Sequence, residues 1–216
     1  MLQVQFTLTG LTPLLFHADD VQESDRLMEW RKDPQNKNLS VPGDDRSPAW
    51  TWQTYLYSDG EHLAWPSDNL MVGLRTAGAQ MILKRQKTFK EVTQSGLIMN
   101  TEFCDFFSGD RKIPMADIMK LEDKPFKKQF DAAKQLGFEL FMKRARVNKA
   151  KHVRVRARFK DWSIVGAVTV RSPEINFEVL EHLFEIAGRC GQGDWRPACS
   201  TPGIFGQFTS KLKLMK

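Results

Sequence analysis

The stretch GRCGQGDWRPACSTPGIFGQF, residues 188–208, joins an amphipathic helical pattern on its N-terminal side to an alternating strand pattern on its C-terminal side. Five glycines (Gly188, Gly191, Gly193, Gly203 and Gly206) fall within it, together with Arg189, Trp195 and Arg196. Glycine at this density implies positive φ or close backbone approach. Two readings are open: a long connection that uses glycine for its turns, or a bent backbone that offers N–H groups to an anion such as phosphate. The order helix, loop, strand excludes a dinucleotide fingerprint, whose glycines follow a strand and open a helix. The chain holds no G-x-x-x-x-G-K-[ST], so nucleotide hydrolysis through a P-loop has no support.

Working outward, residues 176–189 place Phe177, Leu180, Leu183, Phe184 and Ala187 on one helical face and Glu178, Glu181 and Glu185 on the other. Residues 207–214 alternate Phe208, Ser210, Leu212 and Leu214 with Gln207, Thr209, Lys211 and Lys213. Residues 163–170 (SIVGAVTV) are apolar on both faces and read as an interior strand. At the other end of the chain, Leu2, Val4, Phe6 and Leu8 alternate with Gln3, Gln5, Thr7 and Thr9, a half-buried strand. Pro66, Ser67 and Asp68 open a helix with Leu70, Leu74, Ala77 and Met81 at helical spacing. Ser67 or Asp68 is expected to cap it and leave first-turn N–H groups facing an anion.

Between these elements lie two stretches with broken periodicity, residues 18–60 and 86–142, read as insertions in one domain of 216 residues. The first carries a short helical stretch over residues 24–30, the aromatics Trp50, Trp52, Tyr55 and Tyr57, which serve either as core or as stacking platforms for bases, and a hairpin closing near Asp59 and Gly60. The second includes a helical segment broken by Pro125. Without the insertions the order is strand, helix, strands, strand, helix, strand. The expected fold class is therefore α+β, a ferredoxin-like or RRM-like antiparallel sheet with two helices on one face.

The formal charge is +6, yet residues 143–160 hold nine Lys/Arg and no acid, so the rest of the chain sums to −3. Within residues 152–160 (HVRVRARFK), Arg154, Arg156, Arg158 and Lys160 share one face of a strand, with neighbouring cations about 6.5–7 Å apart. Two readings are open: a charged edge strand protected from pairing, or an un-neutralised row that meets a polyanion. Three cysteines without a C-x-x-C pair suit a reducing cytoplasm. A zinc site from Cys190, Cys199 and His182 fits no usual spacing, and free thiols are the expectation. No cofactor, metal, signal peptide or membrane anchor is expected.

Three segments resemble the RAMP superfamily of CRISPR-associated proteins, and within it the guide-RNA-binding backbone subunits. VQFTLTGLTPLLFH looks like the opening strand and turn of that family. AWPSDNLMVGLR is similar to its helix-opening segment, with Pro66, Ser67, Leu70, Gly73, Leu74 and Arg75 in matching places, and GQGDWRPACSTPGIFGQF is similar to its C-terminal glycine-rich loop. The resemblance implies an RRM-like fold, single-stranded RNA bound along a groove, and head-to-tail assembly with copies of itself or with other CRISPR-type subunits. A compact, divergent relative, phage or mobile-element encoded, fits the chain length.

The expected nucleic-acid contacts are Ser67, Asn69, Arg75, Lys149, Lys151, Arg154, Arg156, Arg158, Gly191, Gln192, Gly193 and Arg196, on RNA rather than DNA. Some members of the superfamily cleave RNA without metal. That alternative would use His17, Asp19 or Asp20 in the loop after the first strand. A third reading is an interaction protein that imitates a backbone subunit and inhibits a CRISPR complex.

Overall fold

A computed structural model describes residues 1–147 and 150–215. In chain order the strands are β1 (Leu2–Gly10), β2 (Leu14–Leu15), β3 (Ala64–Pro66), β4 (Ile82–Lys84), β5 (Lys87–Thr88), β6 (Leu97–Met99), β7 (Phe103–Ser108), β8 (Glu139–Val147), β9 (Ala150–Phe159), β10 (Trp162–Val170) and β11 (Phe208–Leu214). The helices are α1 (Val21–Lys32), α2 (Ser67–Gly78), α3 (Lys90–Gly96), α4 (Met115–Met119), α5 (Phe126–Gln135) and α6 (Phe177–Cys190). The fold is mixed α+β and its largest sheet is antiparallel. Two compact units divide the chain: Met1–Leu14, Ala64–Lys112 and Lys160–Lys216 form the first, and Leu15–Leu63 with Ile113–Phe159 form the second.

In the first unit the sheet runs β11-β1-β10-β7-β3, with β6 also paired to β10. The order last, first, third, second, with α2 joining the first strand to the second and α6 the third to the last, is the ferredoxin-like plan. Alternation explains β1: Val4, Phe6 and Leu8 are buried while Gln3, Gln5 and Thr9 are not. The Phe6 ring meets Phe184 of α6 at 5.3 Å between centroids, which fixes the sheet face that α6 covers. Along α6, Leu180, Leu183, Phe184 and Ala187 are buried, the stripe that the helical spacing predicts. Asn176 caps the helix by accepting from the Val179 N–H.

One strand of this sheet differs from the sequence expectation. The place next to β10 belongs to β7, FCDFFS, which lies in a stretch read as insertion. Cys104, Phe106 and Ser108 of β7 are buried and Asp105 is not, so its alternation is real but only six residues long. The basic segment becomes β9, and its partners are β8 and β2 in a separate three-stranded sheet of the second unit. Leu15–Leu63 and Ile113–Phe159 make up the second unit, while β4, β5, α3 and β6 are additions within the first.

The second unit has its own aromatic core. Phe16, Trp52, Phe138 and Phe159 are buried, with ring centroids 4.7 Å apart for Phe16–Phe159, 5.4 Å for Phe138–Phe159 and 5.6 Å for Trp52–Phe138. Trp50 and Trp52 thus serve as core. The buried Gln129 of α5 accepts from Trp52 Nε1 at 2.6 Å and donates to the carbonyls of Lys124 and Glu122, so its amide is satisfied on both sides.

Candidate nucleic-acid interface

Within the second unit β8 and β9 form a long antiparallel hairpin in the register Lys143↔Arg154, Arg144↔Val153, Ala145↔His152 and Arg146↔Lys151. Directly opposite residues share a face. One face therefore carries Arg144, Arg146 and Lys151 toward its end and Leu140, Val155 and Ala157 at its buried base. The other carries Lys143, His152, Arg154, Arg156 and Arg158.

The expectation of an acid-free row of arginines is corrected here. Asp45, only 1% exposed, reaches β9 from the polar stretch before the 3₁₀ turn at Thr51–Tyr55. Its Oδ1 accepts from Arg154 Nη1 at 3.0 Å and its Oδ2 from Arg156 Nη1 at 3.0 Å and from the Val155 N–H at 3.1 Å. Arg156 is itself 3% exposed, and its guanidinium lies 4.0 Å from the centroid of the Tyr55 ring. Burial, aided by the Asp45 charge, pushes the Tyr55 phenol up from its ordinary value against the two arginines. Arg158 pairs with Glu139 across the hairpin. All three arginines are thus engaged with acids inside the second unit. Sequence reasoning missed the arrangement because Asp45 lies more than a hundred residues from them and in a stretch with no periodicity.

At the far end of the hairpin the charges are different. Arg144, Arg146 and Lys151 are exposed, and none meets an acidic partner among the described residues. They line a shallow cleft of about 370 Å³ with Ala145. Like charges directly opposite on a sheet destabilise it, and Arg146 faces Lys151. Lys149 lies outside the described residues.

The remaining expected contacts fall in the first unit. Ser67 does not cap α2; Pro66 occupies the cap position, and no side chain caps it. Ser67 is buried, its N–H donates to the Glu102 carbonyl at 2.9 Å, and its hydroxyl sits 3.4 Å from the Cys104 sulfur. Asp68 and Glu102 line the groove of about 470 Å³ at this helix start, and two carboxylates there oppose an anion. Asn69 is half-buried and Arg75 is exposed.

The glycine loop is closed on itself. The Gly191 N–H donates to the Ala187 carbonyl at 2.9 Å, Gln192 N–H to Gly206 at 2.9 Å, and Gly206 N–H to Pro13 at 2.8 Å. The Arg196 guanidinium donates to the Gly193 carbonyl at 2.9 Å. Gly206 has φ +72°, and a Cβ there would strike the Gln192 backbone; a Cβ at Gly73 in α2 would strike the buried Gln192 side-chain amide. The glycines thus allow close packing, and the amides of Gly191 and Gln192 are already used inside the chain. The connection reading accounts for them without an anion.

The candidate catalytic residues are spoken for in part. Asp20 caps α1, accepting from the Gln22 and Glu23 N–H groups at 2.8 and 3.2 Å. His17 Nε2 lies 3.1 Å from Arg156 Nη2. Because a guanidinium only donates, that ring nitrogen accepts and its lone pair is occupied. Asp19 is exposed.

The three cysteines are free thiols, and among the described residues no group of three metal-ligating side chains is arranged to hold an ion. Burial pushes the Cys104 thiol up from its ordinary value, with the Ser67 hydroxyl opposing. Its contribution to stability is full below the unfolded thiol pKa and is lost as pH rises through the higher folded value. Iodoacetamide at pH 8 is expected to alkylate the part-exposed Cys199 and to leave Cys104 intact in the native protein, read by peptide mass spectrometry. Equal labelling of both would contradict the burial.

No family model and no curated protein matches the chain. Among the described residues no helix is long and apolar enough to cross a membrane.

Proposed function

We propose that this protein binds single-stranded nucleic acid, RNA rather than DNA, as a non-catalytic subunit that assembles head to tail in the manner of a CRISPR-effector backbone. The observation that carries the reading is the end of the β8–β9 hairpin, where Arg144, Arg146 and Lys151 lie exposed, on one face and without an acid. Such a cluster repels itself in the free protein, and a phosphate backbone relieves that repulsion. The ferredoxin-like sheet of the first unit supports the reading, since RNA-binding modules of this plan are common. The three RAMP-like segments support the assembly and the guide-RNA partner.

The test is a filter-binding titration of a labelled 30-nucleotide single strand against salt. Single-strand contacts each contribute about −0.7 to the slope of log K against log salt. Three contacts at the hairpin end give a slope of about −2 or steeper. A flat response would overturn the reading. The labelled RNA is expected to remain intact throughout, because His17 Nε2 and the Asp20 carboxylate are engaged within the fold.

A further inference from the structure

The first unit carries a second basic hairpin that none of the expected contacts includes. β4 and β5 pair antiparallel with Lys84 directly opposite Lys87, and the two-residue loop between them is Arg85–Gln86. Lys84, Arg85, Gln86 and Lys87 are all exposed, as is Lys90 at the start of α3. None of the four cations meets an acid among the described residues. From Asn69 to Lys90 the sequence contains five Lys/Arg and no Asp or Glu, and the nearest acid to the hairpin along the chain is Glu91 in the first turn of α3.

Two features of this hairpin oppose its own stability. Lys84 and Lys87 occupy a cross-strand pair, where like charges repel. Arg85 has φ +53°, a conformation that two-residue hairpin loops ordinarily give to glycine or asparagine. The hairpin is nevertheless held firmly at its base. Phe89 is buried, its N–H donates to the Met81 carbonyl at 3.0 Å, and its carbonyl accepts from the Thr93 N–H at 2.7 Å. Ile82, 74% exposed, adds an apolar side chain at the open end of β4. A strained loop that holds three cations in the solvent is arranged to meet an anion repeating along a chain, and the exposed Ile82, two residues before Lys84, suits a base or a sugar.

We infer that the β4–β5 hairpin is a second phosphodiester-contacting element, in which Lys84, Arg85 and Lys87 bind the backbone of a single-stranded nucleic acid. The inference rests on the reading that this chain binds such a strand. It adds that each of the two units supplies its own basic hairpin. Three further contacts steepen the salt slope of the wild-type protein from about −2 to about −4.

The test compares wild type with the triple variant Lys84→Gln, Arg85→Gln, Lys87→Gln on labelled 30-nucleotide RNA and DNA of the same sequence. The variant is expected to bind about fiftyfold more weakly at 0.15 M salt, with its slope returned to about −2. Equal loss on RNA and DNA assigns the contact to phosphate, and loss on RNA alone assigns it to the ribose hydroxyl and overturns the backbone assignment. A second variant, Arg85→Gly, is expected to hold or raise the melting temperature while weakening binding several-fold. If wild type binds with a slope near −4 and the triple variant keeps that slope, the hairpin assignment fails and the binding function stands. If wild type shows no salt-dependent binding, both fail together.

Discussion

Replacing Asp45 with alanine is expected to lower the free energy of unfolding by about 3–5 kcal/mol, the range for breaking a buried ion pair by removing one partner. The carboxylate is 1% exposed and serves two guanidinium groups and one backbone N–H at once. Without it, Arg156 keeps its charge in a site that water does not reach, beside the Tyr55 ring, and the Val155 N–H loses its acceptor. Removal of Arg46, itself at the surface and paired with the half-buried Asp44, is expected to cost about 1 kcal/mol or less. Urea denaturation separates the two variants. Equal midpoints for Asp45→Ala and wild type would sink the argument. Exchanging Asp45 and Arg156 together for apolar residues of similar volume is expected to recover part of the loss, because the fully buried guanidinium goes with the carboxylate, while the part-exposed Arg154 and the Val155 N–H still lack their acceptor.

The same node changes what an arginine variant means. From the sequence, Arg154, Arg156 and Arg158 look like phosphate ligands in a row. In the fold, Arg154 and Arg156 converge on Asp45 and Arg158 pairs with Glu139. Loss of RNA binding in an Arg156 variant would therefore report unfolding of the second unit, and a binding measurement on it is interpretable only beside a melting curve.

What could be read from the chain and what could not divide along one physical line. β1, β10, α6 and β11 are long enough for their period to rise above noise, and their placement in one antiparallel sheet follows from alternation and order. β7 has six residues, and its burial depends on β10 and β3, which lie far from it in sequence. β8 reads ELFMKRARV, with cations on both faces, and only its register against β9 shows that one face has a buried base and that Glu139 on the other stands opposite Arg158. The glycine loop was recognisable as special, but its reason was hidden. Gly206 and Gly73 both exist to make room for Gln192, and a contact between a loop and the middle of a helix leaves no local trace. Ser67 shows the opposite failure. Its type and position suit a cap, and tertiary packing against Cys104 turned it inward.

The hairpin end is where charge has no structural employment, and this makes its removal informative. The triple variant Arg144→Gln, Arg146→Gln, Lys151→Gln is expected to bind a single strand about fiftyfold more weakly at 0.15 M salt and to flatten the slope by about 2. Its stability should stay level or rise by a few tenths of a kcal/mol, since the opposition of Arg146 and Lys151 is relieved. A sharper form uses one substitution. Arg146→Glu converts a repelling cross-strand pair into an attractive one, worth about 0.2–1 kcal/mol in favour of the fold, while it places a negative charge against the phosphates. Melting temperature and affinity should then move in opposite directions. A structural role for Arg146 would move them together, and a solvated, functionless charge would leave affinity where it was. Only a contact with a polyanion makes the more stable protein the weaker binder.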